Sequence, residues 1–132
     1  MKIVVIDKDP LNAQFIKSKL EPLGHKITSH TSKSEGAQFC IENEVDLVIL
    51  DPSPLNTPRT LIQDLRRNAA FSPYTVMISQ TPPAQTEALK FGINDVLAKP
   101  FNPETLDEKV EQAKYFNALI KRMADDLSLI HI

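Results

Sequence analysis

A chain of 132 residues, 42% hydrophobic and 24% charged, is long enough to bury one real core and too short to divide into two stable domains. Its formal net charge of −2, with Lys and Arg interspersed among the acids, gives no electrostatic footing for nucleic acid, and its single cysteine rules out an internal disulfide framework. No apolar run approaches a membrane span and no signal peptide is recognisable, so a cytoplasmic protein with neither a membrane nor a direct nucleic-acid partner is expected.

The chain opens MKIVVIDKDP. Four consecutive apolar residues after Lys2 predict a buried strand over 2–6. Asp9-Pro10 then predicts a helix start, because the carboxylate can cap free N–H groups and proline at the first helical position has no N–H to lose. Gly24 supplies a stop, and KITSH (26–30) reads as the second strand. Ser32-Lys33-Ser34-Glu35 has the spacing of a capping box, and the Cys40 that follows in an apolar helical stretch reads as core filling. DLVIL (46–50) is the third strand and Thr57-Pro58 the next helix start. YTVMIS (74–79) is the fourth strand, Thr81-Pro82 opens a helix that Gly92 stops, and DVLA (95–98) is the fifth strand. Asn102-Pro103 opens a last helix, in which Leu106, Val110, Ala113, Phe116, Ile120, Met123, Leu127 and Ile130 recur at three- and four-residue spacing. Short apolar runs alternating five times with helical patterns predict an α/β fold with a doubly wound, five-stranded parallel sheet.

On that scaffold the unusual polar residues fall at carboxyl ends of strands: Asp7 and Asp9 after the first, Asp51 after the third, Ser79 at the end of the fourth and Lys99 after the fifth. Open parallel sheets bind ligands at those ends, where strand order reverses. Taken alone, Asp9 could be a simple cap, Asp51 a loop acid, Ser79 a neutral strand-end residue and Lys99 a solvated lysine. His25, His30 and His131 have no metal-ligand spacing.

The acidic pair Asp7 and Asp9, Asp51 after VDLVIL, Ser79 after TVMI, and FGINDVLAKPF with Lys99-Pro100 together resemble a response-regulator receiver domain of two-component signalling, over residues 1 to about 118. The resemblance implies a CheY-like, flavodoxin-like (αβ)5 fold with strand order 2-1-3-4-5. It also implies a signalling phosphoacceptor that is not an enzyme in the ordinary sense, with at most self-phosphorylation and self-dephosphorylation. Asp51 would take a phosphoryl group from a sensor histidine kinase or phosphotransfer protein. Mg²⁺ would be held by Asp7, Asp9, Asp51 and the backbone carbonyl of Ser53, while Lys99 and Ser79 would contact phosphoryl oxygens.

Several positions depart from that pattern. Pro52 has no N–H to offer a phosphoryl oxygen. Leu55 stands where the family usually has proline and Arg59 where it has glycine. Gln80 follows Ser79 in place of a small residue, and Val96 occupies the position of an aromatic switch residue, whose swing a β-branched side chain cannot make. These departures keep open a phosphorylation-independent pseudo-receiver acting as a protein–protein interaction module. A haloacid-dehalogenase-type hydrolase, which also uses Asp, Ser or Thr, and Lys in this order, fits poorly: Leu11 replaces the usual Thr or Val, and no acidic motif follows Lys99 on a later strand. Residues 119–132 read as a helical extension that serves as a homodimerisation segment or as a linker to a missing output domain.

Overall fold

The computed structural model describes residues 1–52 and 73–130. In chain order they form β1 (Lys2–Ile6), α1 (Pro10–Leu20), a 3₁₀ turn (Glu21–Leu23), β2 (Lys26–His30), α2 (Lys33–Glu42), β3 (Leu47–Leu50), β4 (Tyr74–Ser79), α3 (Gln85–Lys90), β5 (Asp95–Ala98) and α4 (Pro103–Ile130). The expected helix start at Thr57-Pro58, together with Ser53, Leu55 and Arg59, lies outside the described residues.

All strand pairs are parallel, in the order β2-β1-β3-β4-β5. Every residue of β3 and β4 is buried, as expected of strands covered on both faces. Side chains alternate between two apolar layers. Ile3, Val5, Ile49, Val76 and Ile78 pack with Ile16 and Leu20 of α1 and with Leu106, Val110 and Ala113 of α4. Val4, Ile6, Val48, Leu50 and Met77 pack with Ala37 and Cys40 of α2 and Ala88 of α3. Burying one of these aliphatic side chains contributes about 1.5–3 kcal/mol, so the two layers fix the register of each strand.

The helix ends follow local chemistry. Asp9 accepts the Leu11 N–H at 3.0 Å and caps α1, with Pro10 at its first position. Ser32 accepts the Glu35 N–H at 3.4 Å and caps α2. Asn102 accepts the Thr105 N–H at 2.7 Å at the start of α4. Gly24 and Gly92 have φ of +94° and +89°, left-handed conformations that glycine adopts without steric cost. Cys40 is buried, and burial pushes its thiol up to about 11, as befits core filling.

Two boundaries differ from the sequence expectation. β3 starts at Leu47, because the Asp46 carboxylate turns aside to accept the Lys2 N–H at 2.8 Å. α3 starts at Gln85 and not at Thr81-Pro82. Thr81 and Pro82 each precede a proline, whose ring disfavours the helical conformation in the residue before it, so the helix begins only beyond Pro83.

Candidate functional site

Ladder hydrogen bonds continue one rung past the strand ends and clamp the backbone of each site residue. The Asp7 N–H donates to the His30 carbonyl at 3.1 Å, the Asp51 N–H to the Ile6 carbonyl at 2.9 Å, and the Lys99 N–H to the Ser79 carbonyl at 2.8 Å. Asp7, Asp51 and Ser79 are thereby held as buried polar residues at the rim of an apolar sheet. Such groups need partners, and the site supplies them internally.

Lys99 is the centre of the arrangement. Its ammonium donates to Asp7 Oδ2 at 3.0 Å and to Asp51 Oδ2, bridging carboxylates that the chain separates by 44 positions. Burial alone would lower the lysine pKa, but the hydrogen bonds and negative charges of Asp51 and Asp7 outweigh it and hold the group above its ordinary value. Asp7 is also tied down by the Asp9 N–H, 2.8 Å from Oδ1, and by Asn12 Nδ2, 3.2 Å from Oδ2.

The structure brings the expected residues to one place. Asp7, Asp9, Asp51, Ser79, Gln80 and Lys99 line a single open cavity of about 1240 Å³ at the carboxyl ends of the strands. Ser79 Oγ accepts the Thr81 N–H at 3.1 Å, which leaves its own O–H to donate. Val96 lies apart from that wall, half-buried against the layer formed by α2 and α3. Sequence reasoning missed the rest of the lining. Asn12 stands three residues after the Asp9 cap, a spacing that puts it on the same side of the helix start. Leu11, Phe15, Pro100 and Phe101 make an apolar wall, with the Phe15 and Phe101 rings edge to face at 5.8 Å.

The donor set is oxygen from carboxylates, which suits a hard divalent cation, and Lys99 shows that positive charge is favoured between Asp7 and Asp51. One Asp9 oxygen is committed to the α1 cap. Among the described residues no group of three acidic, histidine or cysteine side chains stands close enough to ligate a metal by itself. A divalent ion at this site would therefore keep waters and take further oxygens from the ligand it neutralises.

Comparison with known proteins identifies the family and the fold. The family model described as the response regulator receiver domain matches residues 3–111. Among curated relatives, Response regulator SaeR of Staphylococcus aureus is 23% identical across 98% of this chain, which spans 60% of that protein's length. Among solved structures, a two-component response regulator from Clostridium difficile superposes with a TM-score of 0.77 at 29% identity, covering 87% of this chain and 96% of that one. The chemotaxis protein CheY4 of Vibrio cholerae has the same fold, with a TM-score of 0.74 at 20% identity over 85% of this chain and 97% of that one.

Proposed function

Since the chain belongs to the response regulator receiver domain family, we propose that Asp51 accepts a phosphoryl group from a phosphohistidine on a sensor histidine kinase or phosphotransfer protein. The observation that supports this most directly is the Lys99 ammonium held jointly by Asp7 and Asp51 inside the cavity. An Asp51 oxygen attacks phosphorus, the new O–P bond forms as the N–P bond breaks, and the electron pair leaves with the imidazole nitrogen. Lys99 follows the developing negative charge as a mobile point charge on one phosphoryl oxygen, and the Ser79 hydroxyl donates to another. Gln80, beside Ser79 on the cavity wall, bounds the space for the group and offers it an amide.

Asp7, Asp9, Asp51 and the backbone carbonyl of Ser53 would hold Mg²⁺, which when bound neutralises charge on the carboxylates and the phosphoryl group. Residues 1–118 form the receiver in this reading, a phosphoacceptor working in the cytoplasm, and 119–132 the extension toward a second copy or an output domain. Among the described residues no helix is long and apolar enough to cross a membrane.

Incubation with a small-molecule phosphodonor and Mg²⁺, followed by intact mass and site mapping, tests the proposal. One added phosphoryl group on Asp51, absent in Asp51→Asn, is the expected result. If the chain stays unmodified while a working receiver is labelled in parallel, it is a phosphorylation-independent interaction module, the reading that Pro52 and Val96 favour.

A further inference from the structure

The turn that joins β1 to α1 brings a second lysine to the acceptor cavity. Lys8 stands between Asp7 and Asp9, and the chain is pinned on both sides of it. The Asp7 N–H is held by the His30 carbonyl, Asp7 Oδ1 accepts the Asp9 N–H at 2.8 Å in a turn closed by the aspartate side chain, and the Asp9 carboxylate caps α1. That keeps the Lys8 side chain rooted at the cavity rim, where it is exposed and lines the same space as Asp7, Asp9, Asp51 and Lys99. The two lysines differ in their surroundings: Lys99 is half-buried and donates to Asp7 and Asp51, whereas Lys8 lies on the solvent side. Among the described residues of the wall, the carboxylates of Asp7, Asp9 and Asp51 stand against the ammonium groups of Lys8 and Lys99, a formal charge of −1 that would be −2 without Lys8. Lysine has the wrong sign for a site that only holds a cation, since between two acids it opposes the ion they would bind.

We propose that Lys8 is a resident counter-charge of the acceptor site, which weakens its hold on divalent cations and draws in the anionic phosphodonor. This rests on the phosphoacceptor reading and deepens it. A fixed charge acts on a cation and on an anion in the same cavity with opposite sign. The Lys8 ammonium therefore repels the Mg²⁺ that Asp7, Asp9 and Asp51 would hold, and raises the local concentration of phosphoryl groups bound for Asp51. Lysine suits this role because it is a compact point charge on a flexible stem, able to meet an incoming oxygen without a fixed geometry.

The test compares the full chain with Lys8→Met, Lys8→Arg and Lys8→Glu at low ionic strength. Mg²⁺ affinity is titrated calorimetrically in the absence of donor, and the second-order rate of Asp51 phosphorylation by acetyl phosphate is followed at Mg²⁺ concentrations that saturate each variant. Lys8→Met should bind Mg²⁺ about fivefold more tightly and take the phosphoryl group about fivefold more slowly, the scale of one hydrated unit charge acting on a divalent ion a few ångströms away. Lys8→Arg should keep both near the parent values, and Lys8→Glu should push both further in the same directions. Both differences should shrink in about 1 M salt, where the Debye length falls to about 3 Å. A looser fold would weaken both measurements, whereas loss of a charge splits them. Lys8→Met with parent-like or weaker Mg²⁺ affinity, or with parent-like or faster labelling, overturns the role of Lys8 and leaves Asp51 as acceptor. A parent chain that takes no label, while a working receiver is labelled in parallel, overturns both.

Discussion

Lys99 brings one positive charge to two buried carboxylates, and taking that charge away leaves Asp7 and Asp51 facing each other across the cavity floor. Lys99→Met is therefore expected to lower stability in metal-free buffer by about 1.5–3 kcal/mol, the usual worth of a hydrogen bond to a charged group, with the gap narrowing when Mg²⁺ is added. Denaturant midpoints with and without the cation measure both effects. The lysine is held above its ordinary value in the folded chain, so its stabilising contribution is complete below the unfolded lysine pKa and fades as pH rises through the higher folded one. A decline in stability on the alkaline side, beyond the ordinary lysine value of 10.5 and absent from Lys99→Met, is the expected signature. Asp9 separates two roles by chemistry alone. Asp9→Ser keeps an oxygen for the Leu11 N–H and should leave stability near the parent value while weakening Mg²⁺ binding. Asp9→Ala should weaken the metal equally and also lose about 0.5–2 kcal/mol of cap. Equal Mg²⁺ affinity in the parent and both variants would make Asp9 a cap and nothing more.

At the scale of elements, the close approach of α2 to β1 makes Gly36 a sensitive position. Gly36→Ala would set a methyl group 2.6 Å from the Ile6 side chain, and a decrease of about 1–3 kcal/mol in unfolding free energy is expected, read from the shift in denaturant midpoint. β1, β2, β4 and β5 were legible to the residue: β1 and β4 are runs rich in apolar or β-branched side chains, whereas β2 and β5 lie between turn and capping signals, Gly24 and Ser32 for the one and Gly92 and Pro100 for the other. The strand-end position of Asp7, Asp51, Ser79 and Lys99 was legible for the same reason: once the strands are placed, their ends are placed too. The start of α3 was legible only in part: Thr81-Pro82 has the form of a capped helix start, but Pro83 directly behind it disfavours helix at Pro82 and moves the start on to Gln85. The reach of the Lys33 ammonium to the Pro52 carbonyl and the side-chain bond of Asn12 to Asp7 were not legible. They depend on where helices pack against strands, which periodicity does not report.

For the molecule as a whole, α4 is the element that outgrows the sheet. Its first half buries Leu106, Val110 and Ala113, whereas Tyr115, Phe116, Leu119, Ile120 and Met123 are exposed to 73, 39, 43, 43 and 52%. The tail is too short to nucleate a helix alone; it continues one already docked on the sheet, and propagation costs far less than nucleation. An apolar stripe of this kind at helical spacing leads us to expect self-association of the full chain in sedimentation. A version ending at Asn117 retains the Phe116 ring against Tyr74 at 5.2 Å and the Asn117 amide on the Asp46 carbonyl at 2.9 Å, and should sediment as a monomer. Two monomers at high concentration would assign the stripe to another partner.

Those two contacts fall at the middle of a helix of 28 residues, about 42 Å long, whose near end begins four positions after Lys99. Upstream of them the helix is clamped, with Leu106, Val110 and Ala113 buried in the core and Lys109 paired with Asp95 at 2.7 Å, so mechanically the second half is a cantilever about 20 Å long built out from a fixed root. Any change in the angle of that root would be carried outward along the arm, the displacement growing with distance from Asn117.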